Sequence, residues 1–215
     1  MSLAKSVIFD GALQRQMAAG DILAGGEVVP ATDAGTTKTV TGANLLAGII
    51  LRSGAAAMTD TLDSAANIVA ALVGAVNAPN GVQPGTTFRV RWITSTANAI
   101  TVQATANTGV TVNRGTVAAS TSRDFLVTVA NGTPAQSFGV LTTSGSAVLT
   151  GFTAAQLALL TVGMVVTNAV ANLQGTTIIS INFAAGSVTM SGNANATNTT
   201  PVAISFSPVI VVDGL

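Results

Sequence analysis

The chain of 215 residues carries 8 basic and 8 acidic groups, a formal net charge of zero with only 7 % of residues charged. An average soluble domain has about 25 %; here Ala, Thr, Val and Gly make up more than half of the sequence instead. High hydropathy with low charge excludes a disordered chain, and two lysines (Lys5 and Lys38) with six arginines offer no cluster for nucleic acid.

The missing residue types narrow the chemistry further. Without Cys there is no disulfide or thiol nucleophile, and without His no imidazole base or imidazole metal ligand. Tyr is absent and Glu27 is the only glutamate, which leaves seven aspartates, two lysines and the hydroxyls. The expectation is a protein that is not an enzyme and takes no metal and no cofactor. Apolar runs fall well short of the roughly 20 residues of a spanning helix, and Met1 to Asp10 lacks the apolar stretch of an export signal. No membrane partner is expected, and synthesis is placed in the cytosol.

Residues 1–42 read as an extended N-terminal arm, with one short helix between Met1 and Gly20 from the spacing of Leu3, Val7, Phe9, Leu13 and Met17. Gly20, Gly25, Gly26 and Pro30 punctuate the rest, and Asp33-Ala34-Gly35 marks a turn. Residues 43–140 read as one β domain. Leu45 to Leu51 suits a buried strand. Asp63 or Ser64 caps a helix through about Ala75 with Ile68, Leu72 and Val76 on one stripe, and Pro79, Asn80-Gly81 and Pro84-Gly85 follow as a loop. From Thr86 to Thr94 the residues alternate, Phe88, Val90 and Trp92 on one face and Arg89, Arg91 and Ile93 on the other. Further strands are expected at Ile100–Val102, Val110–Val112, Arg123–Val129 and Ser137–Leu141. Short strands at this spacing, with Gly and Asn turns, predict an all-β, jelly-roll-like sandwich with one short helix.

Residues 141–215 read as a second small β domain, entered through Ser144-Gly145-Ser146. Residues 125–212 contain no charged residue at all. Strands are expected at Val148–Gly151, Met164–Thr167, Thr176–Ile181, Ser187–Ser191 and Val202–Val212, with a helical turn from Thr153 to Leu160. Gly192 to Thr200 reads as an exposed crossover. Strand edges are usually protected by charge. A strand-rich chain with so few charges is therefore expected to cover its edges in an oligomer or a larger assembly.

Two stretches carry a resemblance. Asp63-Ser-Ala-Ala-Asn-Ile-Val-Ala-Ala-Leu72, followed by Gly85-Thr-Thr-Phe-Arg-Val-Arg91 and Asn107-Thr-Gly-Val-Thr-Val112, resembles tailed-bacteriophage virion proteins in which a short helix precedes a jelly-roll-like domain. Thr161-Val-Gly-Met-Val-Val-Thr167 with Gly175-Thr-Thr-Ile-Ile-Ser-Ile181 resembles a small β module that recurs in phage decoration, fibre and tail proteins, although Asn168 stands where that module has Gly. The resemblance implies a capsid decoration (cement) protein on the virion surface. It would be a homo-oligomer, a trimer, bound to the major capsid protein and stabilising the mature head. The alternative it leaves is a receptor-binding tail fibre or spike, or another tail subunit.

The candidate interface residues are Arg89, Arg91 and Trp92. The two arginines form either a basic patch facing an acidic partner or a solvated face with a pair to Asp124. Trp92, the only Trp, is either a core residue or an interface anchor. Asp60 and Asp63 suggest calcium or, more simply, helix capping.

Overall fold

The computed structural model describes residues 7–10, 13–16, 33–76, 81–167, 173 and 176–215. Gly20, Gly25, Gly26, Pro30, Pro79, Asn80 and Asn168, singled out above, lie outside them. Two compact units divide the chain, Met1–Ala31 and Thr32–Leu215.

In the first unit β1 (Val7–Asp10) and β2 (Leu13–Gln16) pair antiparallel, Val7 opposite Gln16 and Asp10 opposite Leu13. A hairpin therefore takes the place of the expected helix. Val7, Ile8 and Phe9 favour extended backbone, and Gly11 in mid-helix would cost about 1 kcal/mol relative to Ala.

The second unit begins with an all-β sandwich. β3 (Thr37–Val40), β5 (Met58–Leu62), β7 (Ile100–Ala104) and β9 (Thr116–Val117) form a four-stranded sheet in that order. The facing sheet has the order β4-β6-β10-β17-β8, from β4 (Ile49–Arg52), β6 (Thr87–Thr94), β8 (Val110–Asn113), β10 (Ser122–Asn131) and β17 (Val209–Gly214). Successive strands from β3 to β10 thus alternate between the sheets. β5 returns parallel to β3, β6 parallel to β4 and β7 parallel to β5, in a two-sheet winding. The winding ends where β10 turns back antiparallel on β6 and β17 fills the place between β10 and β8. These parallel ladders distinguish the sandwich from the antiparallel pairing of a jelly roll. Thr37–Val40, assigned above to the arm, is one of its strands.

Alternation accounts for its core: Val90, Trp92, Phe125, Val127, Val129, Ile210 and Val212 are buried while their neighbours face out. Leu45 belongs to α1 (Gly42–Leu46) and not to the expected strand; Thr41 caps it in a capping box with Asn44, and Gly48, at φ +77, stops it so that β4 starts only at Ile49. α2 (Ala65–Val76) starts where Ser64 Oγ accepts the Asn67 N–H at 3.2 Å, and buries Ala65, Ile68, Val69 and Leu72. A side chain at Gly42 would collide with Ala71, so the two helices meet at a position only glycine fits.

Six strands form a closed barrel in the order β11-β12-β15-β14-β13-β16. They are β11 (Gln136–Thr142), β12 (Val148–Thr150), β13 (Val165–Thr167), β14 (Thr176–Asn182), β15 (Ser187–Met190) and β16 (Asn198–Ser207), with α3 (Ala154–Leu157) capped by Thr153 as expected. Phe138, Phe152 and Phe206 meet within it at 5.9–6.3 Å between ring centres, beside buried Leu149, Leu157, Met164 and Ile178.

The strands do not divide at residue 140. Phe138 and Val140 belong to the barrel core, Ser144 to Ser146 make a turn inside the barrel, and β17 returns to the sandwich. The run expected as one strand from Val202 to Val212 breaks at Pro208, which has no N–H for a ladder. Nor is Gly192–Thr200 a free crossover: Ala194 is buried, its N–H donates to Ser146 O at 2.9 Å, and Asn198 to Thr200 already belong to β16. The barrel is thus an insertion between two antiparallel neighbours of the sandwich. The ribbon β10/β17, ending at Asn131 opposite Val209, resumes as β11/β16 with Gln136 opposite Phe206.

Candidate functional site

Trp92 lies in the sandwich core with 0 % of its surface exposed, 4.7 Å from the Phe125 ring in edge-on packing. That burial corrects the reading of Trp92 as an interface anchor. Its indole Nε1 donates to Asp60 Oδ2 at 3.0 Å, and Asp60 Oδ1 lies 2.9 Å from Arg52 Nε. Both charged side chains are completely buried. The Arg52–Asp60 contact is one of charge more than of an aligned hydrogen bond, since neither Nε nor Oδ1 has a hydrogen-bond partner. The rest of the guanidinium is satisfied by the segment ahead of β3: Nη1 lies 2.7 Å from Asp33 Oδ1 and Nη2 donates to Gly35 O at 3.0 Å. Lys38 completes the group, 3.1 Å from Asp33 Oδ2.

Burial pushes the Asp60 carboxyl above its ordinary pKa, with Arg52 and the indole N–H pulling the other way. Asp33 is held below the ordinary value, first by the Gly35 N–H and then by Lys38 and Arg52, against a smaller penalty for burial. The network joins β4, β5 and β6 and holds the Asp33–Gly35 segment over Arg52. Its inner pair, Arg52 and Asp60, presents no charge to solvent, whereas Asp33 and Lys38 stay partly exposed. Asp60 and Asp63, weighed above as a calcium pair, diverge: Asp63 Oδ1 accepts from Ser64 N and Asn67 Nδ2 at the start of α2. Among the described residues no group of three acidic side chains is placed to hold a metal ion, and no helix is long and apolar enough to cross a membrane.

Arg89 and Arg91 stand exposed on the outer face of the five-stranded sheet. Arg91 makes a two-pronged pair with Asp124, Nε to Oδ1 at 2.6 Å and Nη2 to Oδ2 at 3.0 Å. The pair holds Asp124 below its ordinary pKa, chiefly through that hydrogen bond. Arg91 is therefore neutralised within the chain. Arg89 has no ion-pair partner among the described residues.

The two outer faces of the sandwich differ in kind. On the four-stranded sheet, register aligns Thr37, Thr59, Thr101 and Thr116 in one row and Thr39, Thr61 and Gln103 in the next. On the five-stranded sheet, one row runs Arg89, Leu126, Asp213, Asn113. Its neighbours are Ile49, Arg91, Asp124 on one side and Thr87, Thr128, Val211, Thr111 on the other. Leu51 and Ile93 pair beyond them. One face offers hydroxyls and an amide, the other aliphatic side chains set among charges.

The edges are managed within the chain. The barrel has none, and the sandwich edge strands β3, β9, β4 and β8 are four residues or shorter, a length that discourages edge pairing. Edge protection therefore does not by itself require an oligomer. Of the functional features, sequence reasoning missed the pairing of Arg52 with Asp60. Its only local signal was the inward position of Asp60 in the alternation Met58, Asp60, Leu62. Compared with known proteins, the chain matches no family model, no curated protein and no solved structure.

Proposed function

We propose that the chain is a structural subunit of a tailed-bacteriophage particle that binds the major capsid protein on the outer surface of the head as a homo-oligomer and stabilises the mature capsid. The observation that carries this reading is the separation of charge: every charged residue after Thr32 lies in the sandwich part of the chain, and the inserted barrel, residues 132–208, has none. A base with charged and aliphatic contacts, joined by one neck to a module that is hydrogen-bonding but uncharged, suits a subunit bound on one side and wet on the other. Such a subunit stabilises the assembled lattice by mass action, RT ln(1 + [L]/Kd) at each site, and many sites together raise the barrier to rupture.

The test is immunogold electron microscopy of particles from the source, with antibody raised against residues 132–208. Gold spread evenly over the head supports the proposal. Gold confined to the tail supports a fibre or spike, and unlabelled particles overturn both. The fibre reading has one observation in its favour: Leu159, Val162, Ile179 and Phe183 of the barrel are each at least half exposed, which is apolar surface available to a receptor.

A further inference from the structure

We infer that a second copy of this chain packs on the outer face of the five-stranded sheet, sheet against sheet, about a twofold axis running along β10. The inference rests on the proposed function only in asking for a second copy, and its geometry comes from one row of residues.

Arg89, Leu126 and Asp213 lie side by side on β6, β10 and β17. Adjacent strands stand about 4.8 Å apart, so Arg89 and Asp213 flank Leu126 about equally, nearly 10 Å from each other. Neither has an ion-pair partner among the described residues; Asp213 accepts only a neutral hydrogen bond, from Asn113 Nδ2 at 2.7 Å. Rotation by half a turn about an axis parallel to β10, between two facing sheets, exchanges the two sides of the row. It sets Arg89 of each copy opposite Asp213 of the other, with Leu126 against Leu126 at the centre. One operation thus matches both charges, as a self-complementary interface requires. Asp124, also on β10, meets its own copy across the axis, each carboxylate already neutralised by its two-pronged pair with Arg91.

The surrounding side chains suit a covered surface. Leu51, Ile93, Leu126 and Val211 are only partly buried and face outward beside Ile49, which is 39 % exposed. An apolar centre with arginine among it is the composition of an interface core. The opposite face, built of threonines and one glutamine, has no comparable apolar residue. Two sheets stacked face to face lie about 10 Å apart, a gap that an Arg and an Asp side chain span together.

The test uses the full chain in analytical ultracentrifugation, with far-UV circular dichroism confirming that each variant is folded. The wild type is expected to sediment as a dimer or a multiple of dimers. Arg89→Asp alone and Asp213→Arg alone should each weaken association at least tenfold, because each sets like charges opposite one another. The double variant Arg89→Asp/Asp213→Arg should restore it, since the swapped charges again meet across the axis. A monomer at high micromolar concentration, a trimer, or single reversals without effect overturns the inference. A wild-type trimer does so while leaving the capsid reading standing; gold absent from the head removes that reading while leaving the dimer intact.

Discussion

The sandwich and the barrel solve one problem, how to finish a β-sheet, by different means. The barrel closes on itself and needs no charge; 14 apolar residues form its core, and the polar side chains buried with them, Thr142 and Ser187, are uncharged. The sandwich leaves four edges, keeps them short, and places an arginine–aspartate pair in its interior. Closure is complete once register is right, whereas an open, wound sandwich has several near-equivalent registers. A buried pair that bonds only in one of them selects among these registers; that role for Arg52, Asp60 and Trp92 is our hypothesis, in line with other buried polar groups that fix register.

Excision breaks the comparison most directly. Residues 132–208 replaced by Asn-Gly join β10 to β17 at Asn131 and Val209, where they already pair, and a two-residue turn of this type spans such neighbours. The expected product keeps a cooperative transition reported by Trp92 fluorescence and loses the barrel's transition in calorimetry. A product without a cooperative transition would mean that the sandwich depends on its insert. Next in size, Arg52→Met leaves Asp60 buried without its cation and should cost about 3–5 kcal/mol. Chemical denaturation followed at Trp92 checks this, and the barrel's own transition should be unmoved.

Asn131 sharpens the comparison at the neck. It is 5 % exposed and donates through Nδ2 to Thr161 Oγ1 at 3.0 Å and Val162 O at 3.1 Å, while its Oδ1 accepts from Thr133 N at 3.0 Å. Asn131→Ala leaves buried groups unpaired, for about 1–3 kcal/mol, and should move the sandwich and barrel transitions further apart in calorimetry. Transitions that keep their wild-type spacing would show that the neck is rigid without it.

Acid gives the smallest effect. Asp33 and Asp124 have folded pKa values below the ordinary 3.8; what they contribute is present above that value and is lost as pH falls through their lowered values. Asp60 has the opposite sign: its carboxyl is raised, so its charged form weakens the fold as pH rises through the folded value, and acid relieves that penalty. Melting temperature should therefore rise slightly on acidification to about pH 4, as Asp60 takes up its proton, and fall below that as Asp33 and Asp124 take up theirs. In Asp60→Asn, which lacks that contribution, the gain above about pH 4 should disappear while the fall below it is unchanged; a gain that persists in the variant would remove Asp60 from the account.

Local pattern reached some of this and stopped for identifiable reasons. Alternation in Thr86–Thr94 and Arg123–Val129 assigned the inward and outward faces, so the outward side of Arg91 and the inward place of Trp92 beside Val90 were readable. The helices α2 and α3 announced themselves through Ser64 and Thr153. Register between distant strands has no local mark: nothing in Val209–Gly214 says that it pairs with Phe125–Asn131 and not with the barrel. The same gap hid Arg52, whose role depends on where β4 lies against β6. The hairpin of β1 and β2 was missed because Val7, Leu13 and Met17 satisfy a helical spacing and Val7–Phe9 a strand equally well.

The place of β17 bears on how the molecule is made. It is flanked on both sides, by β10 and β8, yet it follows the whole barrel in the chain. During synthesis the barrel is complete while the middle of the five-stranded sheet is still empty, so the sheet begun first is closed last. Its closing contacts join Val110–Asn113 to Ile210–Asp213 across a hundred residues, a separation that makes pairing slow. Until residue 214 is available, β8 and β10 wait with the edges that β17 will pair still open, and a chain stalled within the barrel would offer those edges to its neighbours.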